Sequence, residues 1–143
     1  MWTVLVALHA AATWYLVGLI WTIQVVHYPS FSSIDPATYL TFQSSHMTRM
    51  GAIVGPPWLV EGLTVLGVFA LAPTGTDRLL GLAGGLLEIV AIAVTVLASI
   101  PAHEALTRGF DPEAHRRLVR TNWWRTAAWT LRGVLAVVLL VRL

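Results

Sequence analysis

Residues 79–100 read LLGLAGGLLEIVAIAVTVLASI, an apolar run in which Glu88 is the only charged residue. A helix of this length rises ~33 Å at ~1.5 Å per residue, enough to cross the ~30 Å hydrocarbon core of a bilayer. A carboxylate within such a run must face protein or water rather than lipid. The stretch therefore predicts a transmembrane helix in which Glu88 has a partner on a neighbouring helix.

Three further apolar segments lie on either side of this helix, at residues 2–26, about 57–72 and about 121–141. Of the 143 residues, 57% are hydrophobic and only 11% are charged, a balance that excludes an ordinary water-soluble globule. The first segment lacks a basic n-region and is longer than a signal h-region, so we expect it to stay as a spanning helix. The prediction is one all-α domain, residues 1–143: a polytopic membrane protein built as a four-transmembrane-helix bundle in the lipid bilayer.

Composition also excludes several classes of function. The chain has no cysteine, which rules out disulfides, thiolate metal sites, covalent c-type haem attachment and a cysteine nucleophile. The sequence pI is about 9.7, but the formal net charge is only +2 and the nine basic residues, all arginine, form no basic stripe. We therefore expect no nucleic-acid partner.

The connections between the segments set the expected orientation. A tight turn at Pro73–Asp77 joins the second and third segments, so the long stretches after the first and third lie on one side. The arginines on that side are Arg49, Arg108, Arg116, Arg117 and Arg120, against Arg78 and Arg142 on the other. The positive-inside rule then places both long loops in the cytoplasm and both termini outside, in what we expect to be a bacterial inner membrane.

Each long loop contains an Asp-Pro pair, Asp35-Pro36 and Asp111-Pro112. Aspartate as N-cap followed by proline at the first helical position is a strong helix start. We expect a short interfacial helix in each loop, about Pro36–Met47 and Pro112–Arg120, with the second running into the fourth span. The apolar residues before Pro56-Pro57 could also begin the second span, with a kink at the prolines, so that boundary stays open.

The charged residues inside the spans are expected to pair by depth. Counted from the loop-bearing face, Glu61 and Arg125 both lie ~6 Å deep, whereas Glu88 and Arg132 lie ~18 Å and ~16 Å deep. We predict the pairs Glu61–Arg125 and Glu88–Arg132, the second a structural ion pair that locks the third and fourth helices together. His9 lies near the opposite face and is expected to act only in the interface there.

Polar residues gather at the loop-bearing face and predict a cavity there. Four of the five histidines fall at this face, as do glutamine, asparagine and arginine side chains at three-residue helical spacing. They are His27, His46, His103, His115, Gln24, Arg49, Asn122 and Arg125. The predicted cavity opens to the cytoplasmic interface.

Two kinds of chemistry fit such a cavity. In the first, His27, His46, His103 and His115, with Glu61, hold a metal ion or haem, although no ligand spacing specifies one and the sequence requires no cofactor. In the second, metal-free reading, His27 or Glu61 removes a proton and Arg49 or Arg125 stabilises the resulting anion. Trp21 and Trp129, with Trp14, could then clamp a flat hydrophobic substrate or a quinone; packing and membrane-interface roles are the simpler explanation of these tryptophans.

Three short motifs carry a family resemblance: His27-Tyr28-Pro29 ending the first helix, Pro56-Pro57-Trp58-Leu59-Val60-Glu61 on the second, and Asn122-Trp123-Trp124-Arg125-Thr126 opening the fourth. The chain resembles small bacterial four-helix membrane proteins of unknown function, and more distantly the anthrone oxygenase-like membrane family. Some members of that family are associated with cofactor-independent oxygenation of polyketide anthrones. The resemblance implies His27, Glu61, Asn122 and Arg125 as candidate catalytic residues, with Gln24, Arg49, Trp21 and Trp129 near the substrate.

A non-enzymatic function is the alternative. A chain of this size with no soluble domain is also typical of an accessory subunit in a larger membrane complex, such as a pigment or electron-transfer assembly, or of a homo-oligomer. The small residues of the third span, including Gly81 and Gly85, allow close packing against a neighbouring helix.

Overall fold

The computed structural model describes residues 1–143; apart from short connections it is helical, with no strand. Its helices are α1 (Trp2–Thr22), α2 (Tyr39–Leu71), α3 (Gly75–Val94), α4 (Ile100–Leu106) and α5 (Pro112–Val141). Three short turns join them: a π-helical turn at Ile23–His27, a 3₁₀ turn at Pro29–Ser33 and a second π-helical turn at Thr95–Ser99. Four helical segments are long and apolar enough to cross a membrane, which confirms the predicted all-α four-helix bundle.

The four long helices form a square in which α1 and α3 each pack against both α2 and α5. The chain runs up, down, up and down, so both termini lie at the end that holds the α2–α3 turn. We call this end the turn side, and the end with the two long connections the loop side. Buried apolar residues form three layers: one around Val6 and Val68 on the turn side, one around Leu16 and Trp129 in the middle, and one around Phe31 on the loop side.

Side-chain caps define two of the helix starts. The Thr74 hydroxyl accepts a hydrogen bond from the Asp77 amide at the start of α3, and the Asp77 carboxylate pairs with Arg142 at 2.7 Å, which ties the C-terminus to the turn. At the start of α5, Asp111 accepts hydrogen bonds from the amides of Glu113 and Ala114, with Pro112 at the first helical position. The predicted Asp-Pro start is therefore present at α5, which continues without a break into the fourth span.

Helix α2 differs from the prediction. No separate interfacial helix covers Pro36–Met47; α2 begins at Tyr39 and runs through Pro56 and Pro57 to Leu71. At ~1.5 Å per residue it is ~50 Å long, about 20 Å more than the hydrocarbon core. Its first part therefore belongs to the loop side, and Asp35-Pro36 forms a turn ahead of it, with the Asp35 carboxylate accepting from the Ala37 amide.

Both π-helical turns occur just before a proline, at Pro29 and Pro101. Proline has no amide hydrogen, so the carbonyl four residues earlier loses its helical donor. Arg117 donates to one such carbonyl, that of Leu97, at 3.2 Å, and so fastens the end of the third span to α5. The first π turn carries Gln24 and His27, and residues 28–31 follow it directly into the loop-side layer.

Candidate functional site

The first buried polar group, which we call the deep cluster, consists of His9, Thr13, Glu61, Glu88 and Arg132. It lies midway along the bundle and takes residues from α1, α2, α3 and α5. The Arg132 side chain is 1% exposed and forms ion pairs with both carboxylates, contacting Glu61 directly and Glu88 at 3.1 Å. One guanidinium is therefore shared by two buried acids.

Further donors complete the deep cluster. The Thr13 hydroxyl donates to Glu61 Oε1 at 3.2 Å, and His9 Nδ1 lies 3.7 Å from the same oxygen. The Trp58 indole N–H donates to Glu88 Oε1. Arg132 also donates to the backbone carbonyl of Gly84 and lies over the Trp129 ring, 5.0 Å from its centroid.

The predicted pair Glu61–Arg125 is wrong, because Glu61 pairs with Arg132 instead. The predicted depth of Glu61 assumes that the second span starts at Pro57, but α2 starts at Tyr39 and Glu61 lies well inside it. The predicted pair Glu88–Arg132 is present. His9 is not an interface residue either: it is 4% exposed and lies within the deep cluster.

The second polar group, which we call the loop-side cluster, lies where the first π turn, α2, α4 and the start of α5 meet. Its members are Gln24, His27, Tyr28, Gln43, His46, His103, Asn122 and Arg125. All except His27 are buried. The cluster therefore brings together most of the polar residues predicted for this face, and adds Tyr28 and Gln43. These residues are packed together and do not line the predicted open cavity: the space beside Arg125 is only about 10 Å³.

The histidines of the loop-side cluster are hydrogen-bonded through their ring nitrogens. His27 Nε2 and His46 Nδ1 are 2.8 Å apart, which requires that one of these nitrogens carry no proton. His103 lies between the Tyr28 hydroxyl at 3.1 Å and the Gln43 side-chain amide at 3.2 Å. The ring centroids of His46 and His103 are 5.0 Å apart. The cluster thus contains two hydrogen-bonded groups in ring contact, and the first of them reaches the surface at the half-buried His27.

Arg125 enters the loop-side cluster without an acidic partner. It donates to the Asn122 side-chain oxygen at 3.1 Å, and Asn122 donates to Gln24 Oε1 at 2.8 Å. Its guanidinium also lies beside the Tyr28 hydroxyl. No carboxylate is within 4.0 Å, its Nε has no hydrogen-bond partner, and the residue is only 7% exposed. A buried cation that lacks a counter-charge favours the binding of an anion.

An apolar layer separates the two clusters. Leu16, Ile20 and Trp129 pack in the middle of the bundle, and Trp58 packs against them. A cavity of about 10 Å³ lies in this layer next to Arg125, the space of about one water molecule. The clusters are therefore distinct sites.

The remaining predicted residues lie outside these groups. Arg49 is exposed on α2. Trp21 is 42% exposed; its indole donates to Thr130 at 3.1 Å and its ring meets Trp123 edge-on, so it faces outward rather than into a cavity. Trp129 is buried beside Trp58 and Arg132. His115 contacts the backbone carbonyl of Tyr28 at 2.7 Å and is half-buried.

The histidines do not form a metal site. No three His, Asp or Glu side chains are placed to hold a metal ion together. In the loop-side cluster, His27 Nε2 and His46 Nδ1 face each other, and both ring nitrogens of His103 are bonded, one to Tyr28 and one to Gln43. The predicted metal or haem site at His27, His46, His103 and His115 therefore has no support in the geometry.

Comparison with known proteins gives no relative on which to base a function. Searches against protein-family models, curated proteins and solved structures returned no significant match.

Proposed function

We propose that this chain is a small integral membrane enzyme that removes a proton from a hydrophobic substrate and stabilises the resulting anion at the loop-side cluster. The observation that carries the proposal is Arg125, a buried cation without an acidic partner that lies beside hydrogen-bonded histidines. A preorganised cation in a water-poor site stabilises a developing negative charge far better than it would in water.

His27 and His46 supply the base. In the tautomer in which His27 Nε2 donates to His46, the Nδ1 of His27 keeps a free lone pair that can accept a proton. The positive charge that His27 then gains is shared with His46 through the 2.8 Å hydrogen bond. His27 is the member of the pair that is half-exposed, and its ring packs edge-on against Phe31 at 5.3 Å. An aromatic substrate arriving from the membrane interface meets this ring first.

The resemblance to the anthrone oxygenase-like family supports a substrate class: polycyclic aromatic ketones with an acidic methylene. In that reaction the methylene carbon loses two hydrogens and gains one oxygen atom from O₂, while the other oxygen atom leaves as water. Removal of the first proton gives an enolate whose oxygen carries the negative charge. Arg125 is the group here that suits such an oxygen, and Asn122, fully buried and bonded to both Arg125 and Gln24, holds its guanidinium in position. Glu61, buried in the deep cluster, is not available as the base.

The test is oxidation of anthrone by the purified protein in detergent, followed by anthraquinone absorbance and oxygen uptake. Replacement of Arg125 by Met should lower the rate above the protein-free background about 100-fold. His27→Gln should lower it similarly, because Gln cannot accept the proton. Arg108→Met is the matched control: it removes an exposed arginine from the same face and should leave the rate unchanged. Wild-type protein that does not exceed the background would contradict this substrate class.

We also propose that the loop side faces the cytoplasm of a bacterial inner membrane, as the five-to-two distribution of arginines favours. The chain has no cysteine, so single cysteines report sidedness without background. Ser32→Cys on the loop side and Thr76→Cys on the turn side should react with an impermeant maleimide only in inverted and only in right-side-out vesicles, respectively. The reverse labelling pattern would reverse the orientation.

A second candidate function is an accessory subunit that packs against pigment- or haem-bearing partners. The exposed tryptophans favour it, with Trp14 47% and Trp124 68% exposed on the outside of the bundle. Visible absorption bands in gently purified protein, and their loss when co-purifying chains are removed, would support this function. A spectrum of tryptophan alone, together with anthrone oxidation, would exclude it.

A further inference from the structure

A groove on the outer, lipid-facing side of the bundle lies between α2 and α3 and has a volume of about 620 Å³. This is within the range of small-molecule sites. Its walls are leucine, isoleucine, valine and phenylalanine side chains, and Glu88 is the only charged residue in the lining. It is separate from the loop-side cluster, none of whose residues line it.

Glycines shape the floor of the groove. At Gly81 an added Cβ would lie 3.0 Å from the Phe69 backbone nitrogen, so the two helices touch there. At Gly62 and Gly85 nothing lies within 4 Å of an added Cβ, so the missing side chains leave open space. The groove therefore exists because these positions have no side chain, and a larger residue at Gly85 would fill it without a clash.

The polar end of the groove is built from Glu88 and Trp58. Glu88 lines the groove and is only 8% exposed; its Oε1 accepts from the Trp58 indole, and its Oε2 lies 3.1 Å from Arg132, a guanidinium that it shares with Glu61. The indole of Trp58 lines the same end. A carboxylate beside an aromatic ring is a combination that attracts organic cations, through charge and through the face of the ring.

The net charge of the deep cluster favours the binding of a cation in the groove. Glu88 contacts Arg132 of α5 and Trp58 of α2. Arg132 also contacts Glu61 of α2, and His9 of α1 lies 3.7 Å from the Glu61 carboxylate. Two carboxylates share one guanidinium, so the cluster lacks one positive charge. An uncompensated charge at this depth is costly, and in the empty protein a proton on His9 or on a carboxylate must balance it.

We propose that the groove binds a lipophilic organic cation, which takes the place of this proton. An inorganic ion would need several oxygen ligands, and the groove offers one carboxylate among apolar walls. A helix from a second copy would cover Glu88 without supplying the missing charge. A cation with an apolar, aromatic shell can pack against the apolar walls and be attracted by the negative charge of Glu88.

The probe is tetraphenylphosphonium, measured by equilibrium dialysis against the purified protein in detergent, with a micelle-only blank. Wild-type protein should bind one cation per chain, more tightly as the pH rises, since the cation displaces a proton. Triphenylphosphine oxide, of similar shape but neutral, should show no saturable binding. Wild-type protein without saturable binding of the cation would overturn the proposal.

Three variants locate the site. Glu88→Gln should weaken binding at least about tenfold, equivalent to ~1.4 kcal/mol. Gly85→Leu should do the same while leaving every charge in place, so it tests the groove even if the Glu88 variant fails to fold. Gly18→Leu is the matched control, because Gly18 is exposed on α1 with equally open space, and its affinity should stay unchanged.

Glu61→Gln changes the charge of the deep cluster without changing the lining of the groove. Glu61 does not line the groove, but its replacement leaves one acid for one guanidinium, so the cation should bind more weakly and without the pH dependence. Binding that survives Gly85→Leu would place the cation elsewhere and overturn the proposal. The proposal would also be overturned if the wild type bound no cation and formed a dimer that Gly85→Leu dissociates. That result would show that a second copy occupies the groove.

Discussion

The deep cluster and the loop-side cluster both bury an arginine of α5, but they balance its charge in opposite ways. Arg132 contacts two carboxylates and a backbone carbonyl. Arg125, seven residues earlier on the same helix, contacts only neutral groups. The first arginine is needed to hold two acids inside the bundle, whereas the second is held in place by hydrogen bonds and keeps its charge free. The difference separates a structural cation from one that can act on a ligand.

The largest effect is expected at Arg132. Arg132→Met leaves Glu61 and Glu88 buried without their shared cation, and loss of one partner from a buried ion pair costs about 3–5 kcal/mol. Denaturant unfolding in detergent, followed by circular dichroism, measures the free energy of unfolding. Arg49→Met, on an exposed site, should leave that free energy unchanged. An Arg132 variant as stable as the wild type would remove the structural role assigned to this residue.

The pairing itself is tested by two double-mutant cycles that share Glu61→Gln. Combined with Arg132→Met, the cycle should give a coupling free energy of about 1–3 kcal/mol, because the residues are in contact. Combined with Arg125→Met, the effects should add within about 0.5 kcal/mol, because the apolar middle layer lies between the residues. Coupling to Arg125 instead would restore the pair expected from depth alone.

A smaller effect is expected at Tyr28. Tyr28→Phe removes the hydroxyl that bonds to His103 and lies beside Arg125, and one such hydrogen bond contributes about 1 kcal/mol. Tyr15→Phe is a suitable control, since Tyr15 is 51% exposed on α1. Equal free energies of unfolding for both variants would mean that the Tyr28–His103 bond contributes nothing to stability.

The smallest effect on stability is expected at Arg125. Arg125→Met removes the hydrogen bond to Asn122, about 1 kcal/mol, but also removes an unpaired buried charge; the two effects offset, so the free energy of unfolding should stay within about 0.5 kcal/mol. The same variant should lose the oxidation of anthrone. If it instead unfolds as readily as the Arg132 variant, Arg125 is structural and the contrast between the two clusters fails.

Much of the fold could be predicted because the governing signals are local. Apolar runs of membrane-spanning length gave the four helices, and the Asp111-Pro112 start gave the beginning of α5. Glu88 and Arg132 meet as predicted, because neither the π turn at Thr95–Ser99 nor the early start of α5 changes their relative depth enough to separate them. Prediction failed where a helix boundary was misplaced: with α2 starting at Tyr39, Glu61 moves from the interface to the middle of the bundle.

The rest of the candidate site depends on which helix faces pack together, and a single amino-acid sequence does not specify that packing. Tyr39, Gln43 and His46 share a buried face of α2 at three- and four-residue spacing, a signal that could have found Gln43. His9 and Thr13 are likewise four apart in an otherwise apolar helix and could have been recognised as facing the core. The partners of Tyr28 could not have been recognised from the sequence, because the packing of α4 brings His103 to Tyr28.

The two prolines inside α2 have a mechanical consequence. Without amide hydrogens, Pro56 and Pro57 leave the carbonyls of Ala52 and Ile53 free of helical hydrogen bonds, so the helix is most easily bent at this level. His46 lies before this level and Glu61 after it. The relative orientation of the two halves of α2 is therefore set by packing against α1 and α3 rather than by the α2 backbone alone.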